Sequence, residues 1–220
     1  MKRLLPTTVC LLVMSSVALE WRRIAAAIGI AALFCSAVLA QEIQHPLSQT
    51  GTWDLSLWSS EAVGTSAGSS FGNYLISMGG LRIGRVLHGP VGPGPLRGSL
   101  EYTFEITPVF IATQPNGAHG GGFSPLGFRW NLRGSQRFQP YFELNGGGMF
   151  TTRNIPRGDT SSLNFTADAG TGVTIYRNAH RAVGLGWRFW HLSDAQMGNR
   201  NPGVNALEFI VSYHRMKRPS

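Results

Sequence analysis

The chain has 220 residues, 19 Lys+Arg against 11 Asp+Glu, a formal net charge of +8 and 28 glycines. Charged residues make up 14%, against roughly 25% in an ordinary soluble domain, which excludes a coiled coil, an acidic disordered chain and a heavily solvated cytosolic enzyme. Pro and Gly are not gathered into one block and no collagen period appears, so a glycine-rich, aromatic-rich chain with few charges is what the fold must accommodate.

Two apolar runs open the chain, Leu4 to Leu19 and Ile24 to Ala40, separated by Glu20, Trp21, Arg22 and Arg23. Basic residues, an apolar stretch and small residues before a polar start form the pattern of a secretory signal peptide. Residues 1–40 are read as that leader, cut after Ala40, with Val38 and Ala40 as the small residues and Met14 as an alternative start. The competing reading is a two-helix anchor, but both runs lie at or below the roughly 17–25 residues needed to span. Cys10 and Cys35 fall inside the leader, so residues 41–220 contain no disulfide and no Cys-held metal. Phe34, before Cys35, is bulky for a lipoprotein acceptor site. Without the leader, 15 basic and 10 acidic residues remain. No basic block occurs before Arg215–Met216–Lys217–Arg218, so nucleic acid is not an expected partner.

From residue 52 onward, period-two alternation replaces helical spacing. It predicts eight strands: Thr52–Ser59, Tyr74–Leu87, Ser99–Ala112, Phe123–Leu132, Tyr141–Thr151, Leu163–Tyr176, Ala182–Ser193 and Asn205–Arg215. In the first, Trp53, Leu55 and Leu57 oppose Asp54 and Ser56. In the third, Leu100, Tyr102, Phe104 and Ile106 alternate with Glu101, Thr103, Glu105 and Thr107. Phe128, Trp130 and Leu132 oppose Arg129 and Asn131 in the fourth. Segments of about ten residues, one face apolar and the other polar or glycine, are the pattern of a transmembrane β-barrel. A soluble sandwich also alternates, but carries more surface charge. The fold expected for residues 41–220 is therefore all-β: an eight-stranded antiparallel outer-membrane barrel. Links after strands 2, 4 and 6 then face the periplasm. One feature departs from many such barrels: the chain ends Arg215–Ser220, with Tyr213 its last aromatic residue.

Little of the chain suggests chemistry. Gly120–Gly122 and Gly146–Gly148 lack the strand–loop–helix setting of a phosphate cradle and are read as loop or close-packing glycines. His45, His88, His119, His180 and His214 have no partners at ligand spacing, so neither metal nor cofactor is expected. The last hairpin differs. Val183, Leu185, Trp187 and Phe189 must face lipid, and Gly184, Gly186 and Arg188 the interior. Continuing the count puts His191 and Ser193 on the lipid face, where Asn205 also falls, counting back from Leu207, Phe209, Val211 and Tyr213. A polar group there is costly unless it lies near the interface. Cα atoms two apart on one strand face lie roughly 6.5–7 Å apart, close enough for a serine to meet a histidine base.

His191-x-Ser193-Asp194, followed by Asn201-Pro202-Gly203-Val204-Asn205, resembles the C-terminal signature of the PagL-type lipid A 3-O-deacylases. The resemblance implies an eight-stranded outer-membrane barrel with a serine-hydrolase site on its exterior. It implies Ser193 as nucleophile, His191 as base, and Asn201 with the backbone near Gln196 as oxyanion donors. The substrate implied is lipid A of lipopolysaccharide in the outer leaflet, with Arg200, Arg153 and Arg157 as loop cations for its phosphates; a homodimer is left open. Two positions depart from the family pattern. The acid, a glutamate in the best-known members, falls on Asn205, and the Asn after the serine is Asp194. Glu208, three residues beyond Asn205, belongs to the interior face, and Asp194 to the wrong face unless the strand has ended. The alternatives are a catalytically silent structural or adhesive barrel, favoured by the amide at 205, and a phospholipid esterase.

Overall fold

Each stretch of alternating side chains becomes a strand. The computed structural model describes residues 45–66, 72–115, 117–158, 160–199 and 201–219. The leader, Met14, both cysteines and Arg200 lie outside them. The strands are β1 (Trp53–Thr65), β2 (Leu75–Val91), β3 (Gly98–Gln114), β4 (Ala118–Leu132), β5 (Phe138–Thr151), β6 (Leu163–Asn178), β7 (Arg181–Ser193) and β8 (Val204–Lys217). All neighbours pair antiparallel, and β8 pairs with β1 to close the sheet into a barrel. Closure leaves no edge, the condition for a sheet in hydrocarbon, where water satisfies no backbone group. Several strands run past their predicted ends, because the ladder continues through polar and glycine positions once both neighbours are present.

Alternation divides the wall. Trp53, Leu55, Leu57, Ile83, Phe128, Phe142, Leu144, Phe165, Trp187, Phe209 and Val211 are exposed on the outer surface, while Asp54, Ser56, Arg82, Glu101, Arg129 and Glu143 are buried inside. The period slips once in β3. Pro108 has no N–H for the ladder, the register shifts between Thr107 and Phe110, and Pro108 and Val109 both face out. The slip carries Phe110 and Ala112 inward, opposite to the face that unbroken alternation from Ile106 assigns them. The glycine runs also belong to strands rather than loops: a Cβ on Gly147 would stand 2.1 Å from the Phe123 carbonyl oxygen, so β4 and β5 approach there as only glycine permits.

The interior has three tiers. At the end of the long loops sits an apolar tier including Trp58, Ile76, Phe110, Trp190, Leu192 and Val204. The sequence pattern, which assigned the interior polar or glycine residues, did not show it. In the middle, Arg188 Nε donates to Glu143 (2.6 Å), Arg129 to Glu143 (2.9 Å) and Arg188 Nη2 to Glu105 (2.9 Å), with Arg82 bound to both glutamates. At the opposite end a 3-10 turn, η1 (Pro46–Ser48), enters the barrel. Its Leu47 packs with Val86, Tyr176, Ala182 and Met216, and its carbonyl accepts a hydrogen bond from Ser99 Oγ at 2.5 Å. This end bears both ends of the described chain and the β2–β3, β4–β5 and β6–β7 turns. The β1–β2, β5–β6 and β7–β8 loops at the other end are longer. Short turns mark the periplasmic side.

Candidate active site on the lipid-facing wall

β7 and β8 position the site. His191 and Asn205 are direct partners in their ladder, and the next outward residue of β7 is Ser193, which ends the strand. Trp190 and Leu192, on either side of His191, are buried in the apolar tier. Their anchoring fixes the strand's rotation, so His191 and Ser193 must project outward; both are half-buried. Phe189 below them is exposed to lipid, so the pair stands at the outer margin of the apolar belt.

The central contact is His191 Nδ1 to Asn205 Oδ1, 2.6 Å. A carboxamide oxygen only accepts, so Nδ1 carries the proton and Nε2 presents a lone pair. That is the tautomer a base needs to take a proton from a serine hydroxyl. Gly203 shapes the other side of the ring. Its φ is +67°, and a Cβ there would lie 3.0 Å from His191 Cε1 and 3.2 Å from the Leu192 carbonyl oxygen. In the sequence, only the Pro202-Gly203 pair, which indicates a turn, points to this role of Gly203.

Beyond Ser193 the chain leaves the sheet, and Asp194 turns inward and is buried. Its carboxylate accepts from the backbone N–H groups of Gln196 (3.1 Å) and Gly198 (3.0 Å), holding a loop in which Ala195 and Gln196 have φ of 50° and 66°. Asn201 Oδ1 accepts from the Asp194 N–H at 3.2 Å, leaving Nδ2 as its side-chain donor. Asp194 therefore organises the loop and does not orient His191. Of the residues named from sequence, His191, Ser193 and Asn205 lie on one outer face, Asn201 reaches the backbone beside Ser193, and the Gln196 amide is engaged by Asp194. Arg153 and Arg157 are exposed in the β5–β6 loop. Glu208 is buried in the lumen, 3.8 Å from Arg188, as its face requires.

A second serine–histidine–acid chain runs inside the barrel. Ser212 Oγ lies 2.8 Å from His214 Nε2, and His214 Nδ1 lies 2.6 Å from Asp54 Oδ2. All three are buried, and a Cβ on Gly184 would stand 2.3 Å from Ser212 Oγ. No substrate reaches that serine, so hydrogen bonding alone does not make it a nucleophile; here the chain satisfies polar groups of the lumen.

A closed eight-stranded barrel with an apolar outer belt, a filled interior and a polar cluster on its wall is an integral outer-membrane protein. Residues 92–214, more than half of the chain, match the family model described as Lipid A 3-O-deacylase (PagL), and the chain belongs to that family. The crystal structure of the outer membrane enzyme PagL superposes with a TM-score of 0.53 at 16% identity, covering 75% of this chain and 99% of that one. Neisserial surface protein A is also similar, with a TM-score of 0.49 at 12% identity, covering 75% of this chain and 98% of that one. No curated protein sequence matches.

Proposed function

We propose that the protein is an outer-membrane serine esterase that removes an ester-linked primary acyl chain, the one at the 3-O position, from lipid A. The observation that carries this reading is the 2.6 Å contact between His191 Nδ1 and Asn205 Oδ1 on a lipid-facing wall, with Ser193 two residues along the same face. The substrate shares the leaflet with the site, so no pocket inside the barrel is required. His191 Nε2 takes the hydroxyl proton of Ser193 as Oγ attacks the ester carbonyl carbon. The tetrahedral oxyanion is met by Asn201 Nδ2, joined by the Gln196 N–H once that amide exchanges Asp194 for the oxyanion. Collapse expels the sugar alkoxide, which takes the proton from His191. Water then attacks the acyl-serine with His191 again acting as base, releasing a fatty acid and restoring the hydroxyl. Arg153 and Arg157 pair with lipid A phosphates, a role also assigned to Arg200.

The test is mass spectrometry of lipid A from cells expressing the wild type or Ser193→Ala. Loss of one 3-O-linked hydroxyacyl chain, restored by the substitution, is the expected result. Unaltered lipid A in both strains would leave a structural barrel, the reading that the amide at Asn205 favours. Altered phospholipids with intact lipid A would make the site a phospholipid esterase.

A further inference from the structure

The periplasmic rim carries a charge pattern unrelated to the outer-leaflet site. Among the described residues, every aspartate and glutamate except Glu61 is buried, and Glu61 lies toward the opposite end of β1, where Ser77 Oγ donates to it at 2.8 Å. The outward basic residues of the periplasmic end therefore meet no outward carboxylate among the described residues. They are also gathered. Arg181 at the start of β7 and Arg215 on β8 are direct partners in the ladder, and both are exposed. Lys217, the next outward residue of β8, pairs with Trp53 of β1. Leu55 lies opposite Arg215, and Ile83 opposite Leu55. Together these six residues border an open groove of about 750 Å³ on the outer wall. Arg85 is stacked on Trp53 with its guanidinium carbon 5.1 Å from the ring centroid, adding a fourth cation at the margin.

We propose that this groove holds the headgroup of an anionic glycerophospholipid of the inner leaflet. Its phosphates meet Arg181, Arg215 and Lys217, and its acyl chains run up the wall over Leu55 and Ile83. Charge complementarity argues for the occupant: cations without carboxylate partners at a membrane boundary attract phosphate. Apolar side chains on the bilayer side of the same groove suit a lipid and give a soluble anion nothing to cover. Partner strands stand roughly 5 Å apart, so Arg181 and Arg215 can grip a single phosphate from two sides.

The experiment is native mass spectrometry of the detergent-purified, folded chain after exposure to equimolar phosphatidylglycerol and phosphatidylethanolamine. Each cation at an anionic surface contributes about fivefold. The wild type should retain phosphatidylglycerol preferentially, and Arg181→Gln/Arg215→Gln/Lys217→Gln should lower that preference by about 100-fold, whereas Arg137→Gln, at the same rim but outside the groove, should retain it. A wild type that holds both lipids equally overturns the proposal without reference to any variant, so a triple variant that fails to fold leaves it testable. Equal loss in Arg137→Gln would reduce the effect to general charge and overturn the groove. Displacement of phosphatidylglycerol by equimolar inorganic phosphate would make this a free-anion site and overturn the lipid assignment.

Discussion

At position 205 a shorter, neutral carboxamide stands where the family pattern leads to a glutamate, while a hydrogen bond that orients His191 remains. The amide fixes the tautomer of His191 but, in the proposed mechanism, would supply no charge to the imidazolium formed on deprotonation of Ser193. Asn205→Asp would place a carboxylate at the present 2.6 Å contact with almost no change in shape. Deacylation should rise by about tenfold or more, because a nearby negative charge stabilises the protonated ring. Rates of fatty-acid release from the two proteins check this, and an unchanged rate would contradict the role given to the His191–Asn205 contact. Gly203 makes a second point at this scale. Gly203→Ala adds a left-handed backbone strain of about 1 kcal/mol and a methyl group 3.0 Å from His191 Cε1. The ring must give way, so kcat should fall at least tenfold with KM little changed, while the barrel still folds in a heat-modifiability assay.

The β7–β8 hairpin shows what alternation reveals and where it stops. Counting from Trp187 and Phe189 was enough to put His191 and Ser193 outside, because the ladder preserves a strict period of two until the strand ends. The turn that follows has no period. Alternation assigned Asp194 to the inner face, but nothing in the sequence showed that it would bind the Gln196 and Gly198 amides, since that depends on the left-handed conformations of Ala195 and Gln196. Phe110 escaped for a related reason: the Pro108 bulge inserts a residue that pattern reading does not count. Two charge-assisted bonds are worth about 3 kcal/mol or more together. Asp194→Ala should therefore free the loop to sample other conformations and raise its hydrogen exchange, while the strands remain protected; unchanged protection would deny Asp194 its anchoring role. The η1 turn offers a pH-dependent counterpart. His45 is buried against Tyr176, ring centroids 4.5 Å apart, and burial pushes its pKa below the ordinary 6.5, outweighing an opposing bond with the Ser135 backbone. Protons then bind the unfolded chain more readily, so stability is full above about pH 6.5 and declines as pH falls below it, levelling off beneath the folded pKa. Urea midpoints at pH 8 and pH 5 should differ, and His45→Gln should narrow the difference.

On the scale of the whole barrel, the lumen is a core and not a passage. The cavity beside Arg188 and Glu208 has a volume of about 20 Å³, room for about one water, with the apolar tier above it and the η1 plug below. Catalysis at an inner surface would need a path that the side chains fill, which is why a reactive group on this fold has to lie on the outer wall. The ionic tier is what makes the filling rigid. Arg188 is shared between Glu105 and Glu143, lies 3.6 Å from Asp168, and sits on the strand that carries His191 three residues later. Arg188→Met would keep much of the volume and leave these carboxylates short of a cation in a closed interior. Removing one partner of such a network costs about 3–5 kcal/mol, so the denaturation midpoint in detergent should drop markedly. The wild type, for its part, should carry no ion current across a planar bilayer. Arg188→Met should stay silent too, because the apolar tier and η1 still close both ends. Steady single-channel conductance from either protein would mean the tiers open in a membrane, and the argument that confines chemistry to the wall would lose its basis.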